Sequence, residues 1–287
     1  MTGAAVVLVN YHTTEEVIKM ARVYESYNSI DHIVIVNNDT KDDEVSEIKS
    51  IRNDKISVIF AKDNLGYSKG NNKGIRYLLK NELKPEYIIM SNSDIEIEEK
   101  AITGILEKME QLPQYGAIAP RMINADGSKA DLRAVPLGYK RLFLQFFVSR
   151  FDRKMQDELQ ANEYGIIEQT FLPGSFFICR TEALIKCRLF DPNVFLYREE
   201  EILAERMKRK GYLLGVDDSY QYLHKHDYKA ESIKKIIQGH KRVFVSERYY
   251  FRRYMHANLF QMIYVCIFEY LGLVRYIVRN EVSRRRK

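Results

Sequence analysis

Tryptophan is absent from the 287 residues, and cysteine occurs only at Cys179, Cys187 and Cys266. No two of these form a CxxC pair, which argues against a disulfide framework or a cysteine zinc site and fits a reducing compartment. The six histidines form no HxxxH or HExxH pattern, so no zinc signature is present. There is no GxxxxGK[ST], and the glycines at 66, 70 and 74 do not make GxGxxG, so neither a P-loop nor a dinucleotide-type site is expected. No Ser-His-Asp order or nucleophile elbow stands out. The first apolar run has about six residues and no basic flank, too short for a signal peptide's core, and reads as a buried strand.

Hydrophobic residues at 46% and charged residues at 29% give an ordinary globular balance with material for a core. Twenty Tyr and fourteen Phe suit stacking sites. The net charge of +6 is unevenly placed. From Lys241 to Lys287 there are 11 Lys+Arg against 3 Asp+Glu, whereas the other 240 residues hold 34 against 36. The basic character therefore belongs to the C-terminal tail, which fits anionic lipid headgroups better than nucleic acid.

The first 120 residues alternate short apolar runs with helical patterns. Strands are predicted at Ala4–Asn10, His32–Asn37, Ile56–Ala61, Tyr87–Ser91 and Gly116–Pro120. Between them Val17, Met20, Ala21 and Tyr24 recur at helical spacing, and 66–80 and 100–111 look similar. Such alternation implies an α/β fold, a parallel sheet covered by helices on both faces, with ligands at the carboxyl ends of the strands. Further strands are expected at Phe171–Arg180 and Tyr212–Val216, with a charged helix at Glu200–Lys210 between them.

Asn92-Ser93-Asp94 follows the apolar strand YIIMS. A carboxylate there suits a Mg²⁺-type cation shared with substrate phosphates, and equally suits a cap of the following helix. Glu199-Glu200-Glu201 opens a basic helix, where acids complement the dipole, although one beside an acceptor hydroxyl is a candidate general base. His224 follows a strand; as a lone histidine it is more commonly a packing or surface residue than a ligand.

Several segments, in order from about residue 5 to 227, resemble the inverting family 2 glycosyltransferases of GT-A fold, in particular their rhamnosyltransferase-like and galactofuranosyltransferase-like branch. VVLVNYHT is similar to the first strand and its nucleotide-contacting end, and VIVNNDTKDD to V-[DN]-N-x-S-x-D. DNLGYSKGNNKGI resembles N-x-G-[FY]-x-x-G-x-N-x-G-I, and NSDIEI stands at the DxD-like motif. LPGSFFICRTEAL looks like the strand before the acceptor site, and FLYREEEILAERMKRKGY like the stretch carrying the ED pair.

The resemblance implies a Rossmann-like, mostly parallel GT-A sheet over residues 1–230, with a nucleotide-sugar half at 1–120 and an acceptor half at 121–230. It implies donor contacts at Val9, Asn10, Tyr11, Asn37, Asn38, Asn64, Gly70, Asn92 and Ser93. Asp94 and His224 would hold a divalent metal, Mg²⁺ or Mn²⁺. Glu200 would be the base, with Glu199 its competitor, and Arg133, Gly174 and Ser175 would border the acceptor. The chain departs from the pattern where Asn37 replaces a common Asp and Ile202 replaces the acid after the ED pair. The implied partners are a nucleotide-diphosphate sugar, with dTDP-rhamnose ahead of a UDP-sugar, and a glycan or lipid-linked acceptor. A homo-oligomer is compatible and no nucleic acid is expected.

Residues 231–287 are expected to form a helical, amphipathic extension. Leu259–Val278 is long enough to span a bilayer, but Gln261, Glu269 and Arg275 interrupt it. With flanking arginines and frequent Tyr, helices lying in the membrane interface are expected, on the cytoplasmic, inner face. The alternatives are a soluble helical hairpin packed on the catalytic domain or a second subunit, and a non-catalytic lipid- or nucleic-acid-binding protein built on the basic tail.

Overall fold

The structure is a computed structural model and describes residues 3–39, 42–81, 83–132, 138–139, 142–143, 159–225 and 232–284. Arg133 and most of the aromatic stretch 142–151 lie outside these residues.

Strand β1 (Ala4–Asn10) is buried on both faces, as its unbroken apolar run requires. It pairs in parallel with β2 (Ile30–Asn37) on one side and β4 (Tyr87–Ser91) on the other, and β3 (Ile56–Phe60) extends the sheet beyond β2. The other half is mixed. Strand β8 (Phe176–Arg180) runs antiparallel to β4 and to β6 (Tyr115–Asn124). Strand β9 (Leu213–His224) returns parallel to β6, and the short β5 (Ile95–Ile97) and β7 (Ile166–Glu168) pair antiparallel to β9. The sheet is thus parallel where the first 120 residues build its β1–β4 side, and mixed beyond.

Alternate residues of β1 feed two cores. Ala4, Val6 and Leu8 pack with α1 (Thr14–Glu25), α2 (Asp42–Ser50) and α4 (Glu99–Gln111). Ala5 and Val7 pack with α3 (Gly66–Lys80), α5 (Thr181–Lys186) and α6 (Glu199–Arg209). Helix α3 crosses the sheet closely because Gly74 has no side chain. A Cβ there would lie 2.6 Å from Val7 Cγ1 and 3.1 Å from Val36 Cγ2. Gly74→Ala gains helix propensity, about 1 kcal/mol, but overpacks two buried strands at ~1–3 kcal/mol. A Tm lowered by about 2–4 °C is expected, and a Tm at or above wild type would contradict this packing.

Phe171–Arg180 is strand only from Phe176, because Leu172-Pro173-Gly174-Ser175 turns before it. Beyond residue 231, α7 (Ile233–Arg253) and α8 (Leu259–Arg284) form two long helices. Tyr250 and Phe251 of α7 and Met262 and Val265 of α8 share an apolar cluster with Val194 and Ile202. The extension is therefore packed on α6 and the loop before it.

Candidate active site

The topology brings distant segments to one edge. Strands β1, β2 and β4 end there at Asn10, Asn37 and Ser91. Antiparallel β8 begins there, so Phe176 lies opposite Ser91 and the Asn92 N–H donates to the Ser175 carbonyl at 2.8 Å. Strand β9 ends there, with His224 opposite Ile95. That register places His224 Nε2 3.4 Å from Asp94 Oδ2, across 130 residues of sequence.

Two cavities share this edge. The first, of about 490 Å³, is bordered by Val9, Tyr11, Asn38, Asn64, Asn92 and Ser93. The second, of about 670 Å³, is bordered by Gly174, Ser175, Met122, His224 and the three acids Glu199, Glu200 and Glu201. Asp94, Asn92, Tyr67 and Leu196 line both. Asp94 thus stands at the seam between a polar chamber at the strand ends and an acid-lined one.

The acids are held by an unusual turn. Tyr197 and Arg198 both adopt left-handed backbone, at φ 69° and 67°, a conformation costing about 1–3 kcal/mol per residue unless its surroundings enforce it. Arg198 does so through ion pairs to Glu201 at 2.7 Å and to Glu247 of α7 at 2.9 Å. Ser246 Oγ donates to the Leu196 carbonyl at 2.8 Å. Glu200 then lies over Gly174, where a Cβ would sit 1.9 Å from Oε1, so residue 174 must be glycine for the carboxylate to stay in place. The Tyr67 hydroxyl donates to the Gly174 carbonyl and fixes that backbone.

Burial raises both neighbouring carboxyls, Glu199 to about 7, and Glu200 well above its ordinary value with added repulsion from Glu199 and Glu201. The two titrate as a pair. A folded-state pKa above the unfolded one stabilises the fold at low pH and loses that contribution as pH rises through the folded value. The ligand-free protein is therefore expected to lose Tm from Glu199 as pH rises from about 4.5 through about 7, with Glu200 carrying the loss to higher pH. Glu200→Gln should flatten that slope in a thermal-shift series, and an unchanged slope would contradict the assignment.

Asp94 and His224 offer one carboxylate and one imidazole. The described residues hold no group of three or more His, Cys, Asp or Glu side chains arranged for a metal. This set fits a cation whose other positions are taken by phosphate oxygens and water, and does not fit a closed structural site.

Not every residue singled out in the sequence reaches a cavity. Asn10 and Asn37 are fully buried, and the Asn10 amide donates to Asn37 Oδ1 at 2.7 Å and to Thr14 Oγ1 at 3.0 Å. Gly70 packs α3 on Val9 and Asn38. Ser175 does border the second cavity, with its Oγ 2.7 Å from the Tyr222 hydroxyl. Conversely, Tyr67, Arg198, Lys225, Arg242 and Glu247 were not singled out from sequence. Tyr67 and Arg198 lie inside segments that were, whereas Arg242 and Glu247 lie in the tail and carry no local signal.

The model of the family described as "Glycosyl transferase family 2" matches residues 6–190. The chain is 26% identical over 212 residues to the low-salt glycan biosynthesis hexosyltransferase Agl10 of Haloferax volcanii, covering 74% of this chain and 63% of that protein. It is 25% identical over 180 residues to an N-acetylglucosaminyl-diphospho-decaprenol L-rhamnosyltransferase of Mycobacterium tuberculosis, covering 60% and 57% respectively. The match therefore spans less than two thirds of these relatives' length. Among solved structures, the mannosyltransferase PcManGT of Pyrobaculum calidifontis in complex with GDP-Man and Mn²⁺ superimposes with a TM-score of 0.57 at 12% identity. That superposition covers 93% of this chain and 69% of the other, and at such identity it shows the shared GT-A-type fold. With the family model covering more than half of its length, the chain belongs to glycosyl transferase family 2.

Proposed function

We propose that the protein is an inverting glycosyltransferase that moves a sugar from a nucleotide-diphosphate donor to a hydroxyl of a lipid-linked or glycan acceptor. The observation that carries this reading is the meeting of the two cavities at Asp94, with Glu200 on the far side.

The nucleotide would occupy the chamber with Asn38, Asn64 and the half-exposed ring of Tyr11, a stacking surface for the base. Asp94 and His224 would hold a divalent cation, Mg²⁺ or Mn²⁺, which neutralises charge growing on the departing diphosphate. The acceptor enters the second chamber past Gly174 and Ser175. Glu200 takes its hydroxyl proton as the oxygen bonds to the anomeric carbon and the carbon–phosphate-oxygen bond breaks. No covalent sugar–enzyme species is needed, so configuration inverts. The rhamnosyltransferase relative supports rhamnose as the sugar moved, and the donor proposed is dTDP-rhamnose, ahead of a UDP-sugar. Incubation with dTDP-rhamnose, UDP-sugars and GDP-mannose plus Mn²⁺ should release nucleoside diphosphate from one of them. Release from none by the folded protein would leave a non-catalytic binding module as the reading.

The surface of α8 supports an acceptor held at a membrane. Met262, Val265, Glu269 and Leu273 face inward and are buried, and Arg248 of α7 bonds Glu269 at 2.7 Å. The other face leaves Phe260, Ile263, Ile267, Val274 and Val278 exposed, with Arg252 of α7 and Arg275 and Arg279 of α8 exposed beside them. Leu259–Glu281 is long and apolar enough to cross a membrane by length and composition, at mean hydropathy 1.4. One stripe bound to protein and one stripe of apolar and basic residues suit a helix lying in the interface on the inner leaflet. Co-flotation with vesicles containing phosphatidylglycerol is expected, and its loss in Phe260→Glu/Ile267→Glu checks the surface. Flotation equal to wild type would refute it.

A further inference from the structure

The family-matched region ends at residue 190, yet the first cavity is not closed by that region alone. Among the described residues its two cationic side chains are Lys225, just past β9, and Arg242, on α7. The Lys225 ammonium is ion-paired with Glu96. Arg242 has no ion pair or hydrogen bond among the described residues, although Glu16 and Asp94 border the same chamber. An exposed arginine in a cavity wall with its fork unused is a ready anion ligand.

Its position is set by the helix that carries it. One turn further along the same face, Ser246 bonds the Leu196 carbonyl, and Leu196 lines both cavities. Glu247 bonds Arg198 at 2.9 Å, and the Tyr249 hydroxyl donates to Asp191 at 2.9 Å. Val243, next to Arg242, borders the second cavity. The middle of α7 is thereby pinned along the seam where Asp94 stands.

The geometry points to Arg242 as a ligand of the donor's diphosphate, so that α7 of the C-terminal extension completes the donor site. This rests on the donor-chamber reading above. A diphosphate carries more negative charge than Lys225, shared with Glu96, can balance. The guanidinium offers two parallel N–H donors to phosphate oxygens, where a lysine offers a point charge.

The test is calorimetric titration of the full chain in Mn²⁺ with UDP, dTDP and GDP, comparing wild type with Arg242→Gln and Arg242→Lys. Arg242→Gln should weaken the nucleotide that wild type binds by about 10- to 100-fold. Its Tm should stay within about 2 °C of wild type, as for an exposed side chain. Arg242→Lys should recover part of the affinity. Unchanged affinity in Arg242→Gln overturns the assignment, and so does a loss of affinity that follows a Tm drop of several degrees. Wild type binding none of the three nucleotides overturns the donor site itself and the assignment with it, a result distinct from the other two.

Discussion

Asp94→Ala is expected to abolish metal-dependent nucleoside diphosphate binding and to lower kcat/KM by about 10³-fold. Among the described residues, Asp94 supplies the carboxylate placed beside His224, at 3.4 Å, where both cavities open. Without it a cation would have only the imidazole and the substrate's own oxygens, too few to hold it at the seam. The fold should survive, because Lys225 N–H bonds the backbone carbonyl of residue 94, at 2.8 Å, and not its carboxylate. Calorimetry with and without EDTA, alongside a thermal scan, separates the two effects. Metal-dependent binding retained by the folded variant would contradict the placement of the cation.

Glu200→Gln should leave nucleotide binding intact while kcat falls by about 10²–10⁴-fold. Glu200 lines the second cavity and not the first, so the donor should not sense the change. The amide keeps the shape over Gly174 but accepts no proton. Glu199 is the less solvent-exposed of the two acids, and its Oε2 finds no hydrogen-bond partner among the described residues. Glu199→Gln should accordingly cost less in kcat. If the two variants rank the other way in single-turnover rates, Glu199 is the base.

The parallel side of the sheet is legible in the sequence because its strands are continuous apolar runs between helical repeats, as at Ala4–Asn10 and Tyr87–Ser91. Strand direction beyond them is not, since the sequence of Phe176–Arg180 is the same whichever way it pairs with β4. Strands β5 and β7, of three residues each, are too short to show a period. Asp94 and the acid triplet could be picked out by composition and position. What joined Asp94 to His224 is the register of β5 with β9, which depends on tertiary packing alone. The turn at Arg198 is likewise written far away, in Glu247. For the same reason the extension reads from sequence as a tail, although in the fold it supports the acids and reaches the first cavity.

The most direct test is titration of the purified chain with UDP, dTDP and GDP, each in Mn²⁺, in Mg²⁺ and in EDTA. The account predicts tight binding of one nucleotide that requires the metal and disappears in Asp94→Ala. Binding of none, or binding indifferent to metal and to Asp94, by protein shown to be folded, would contradict it.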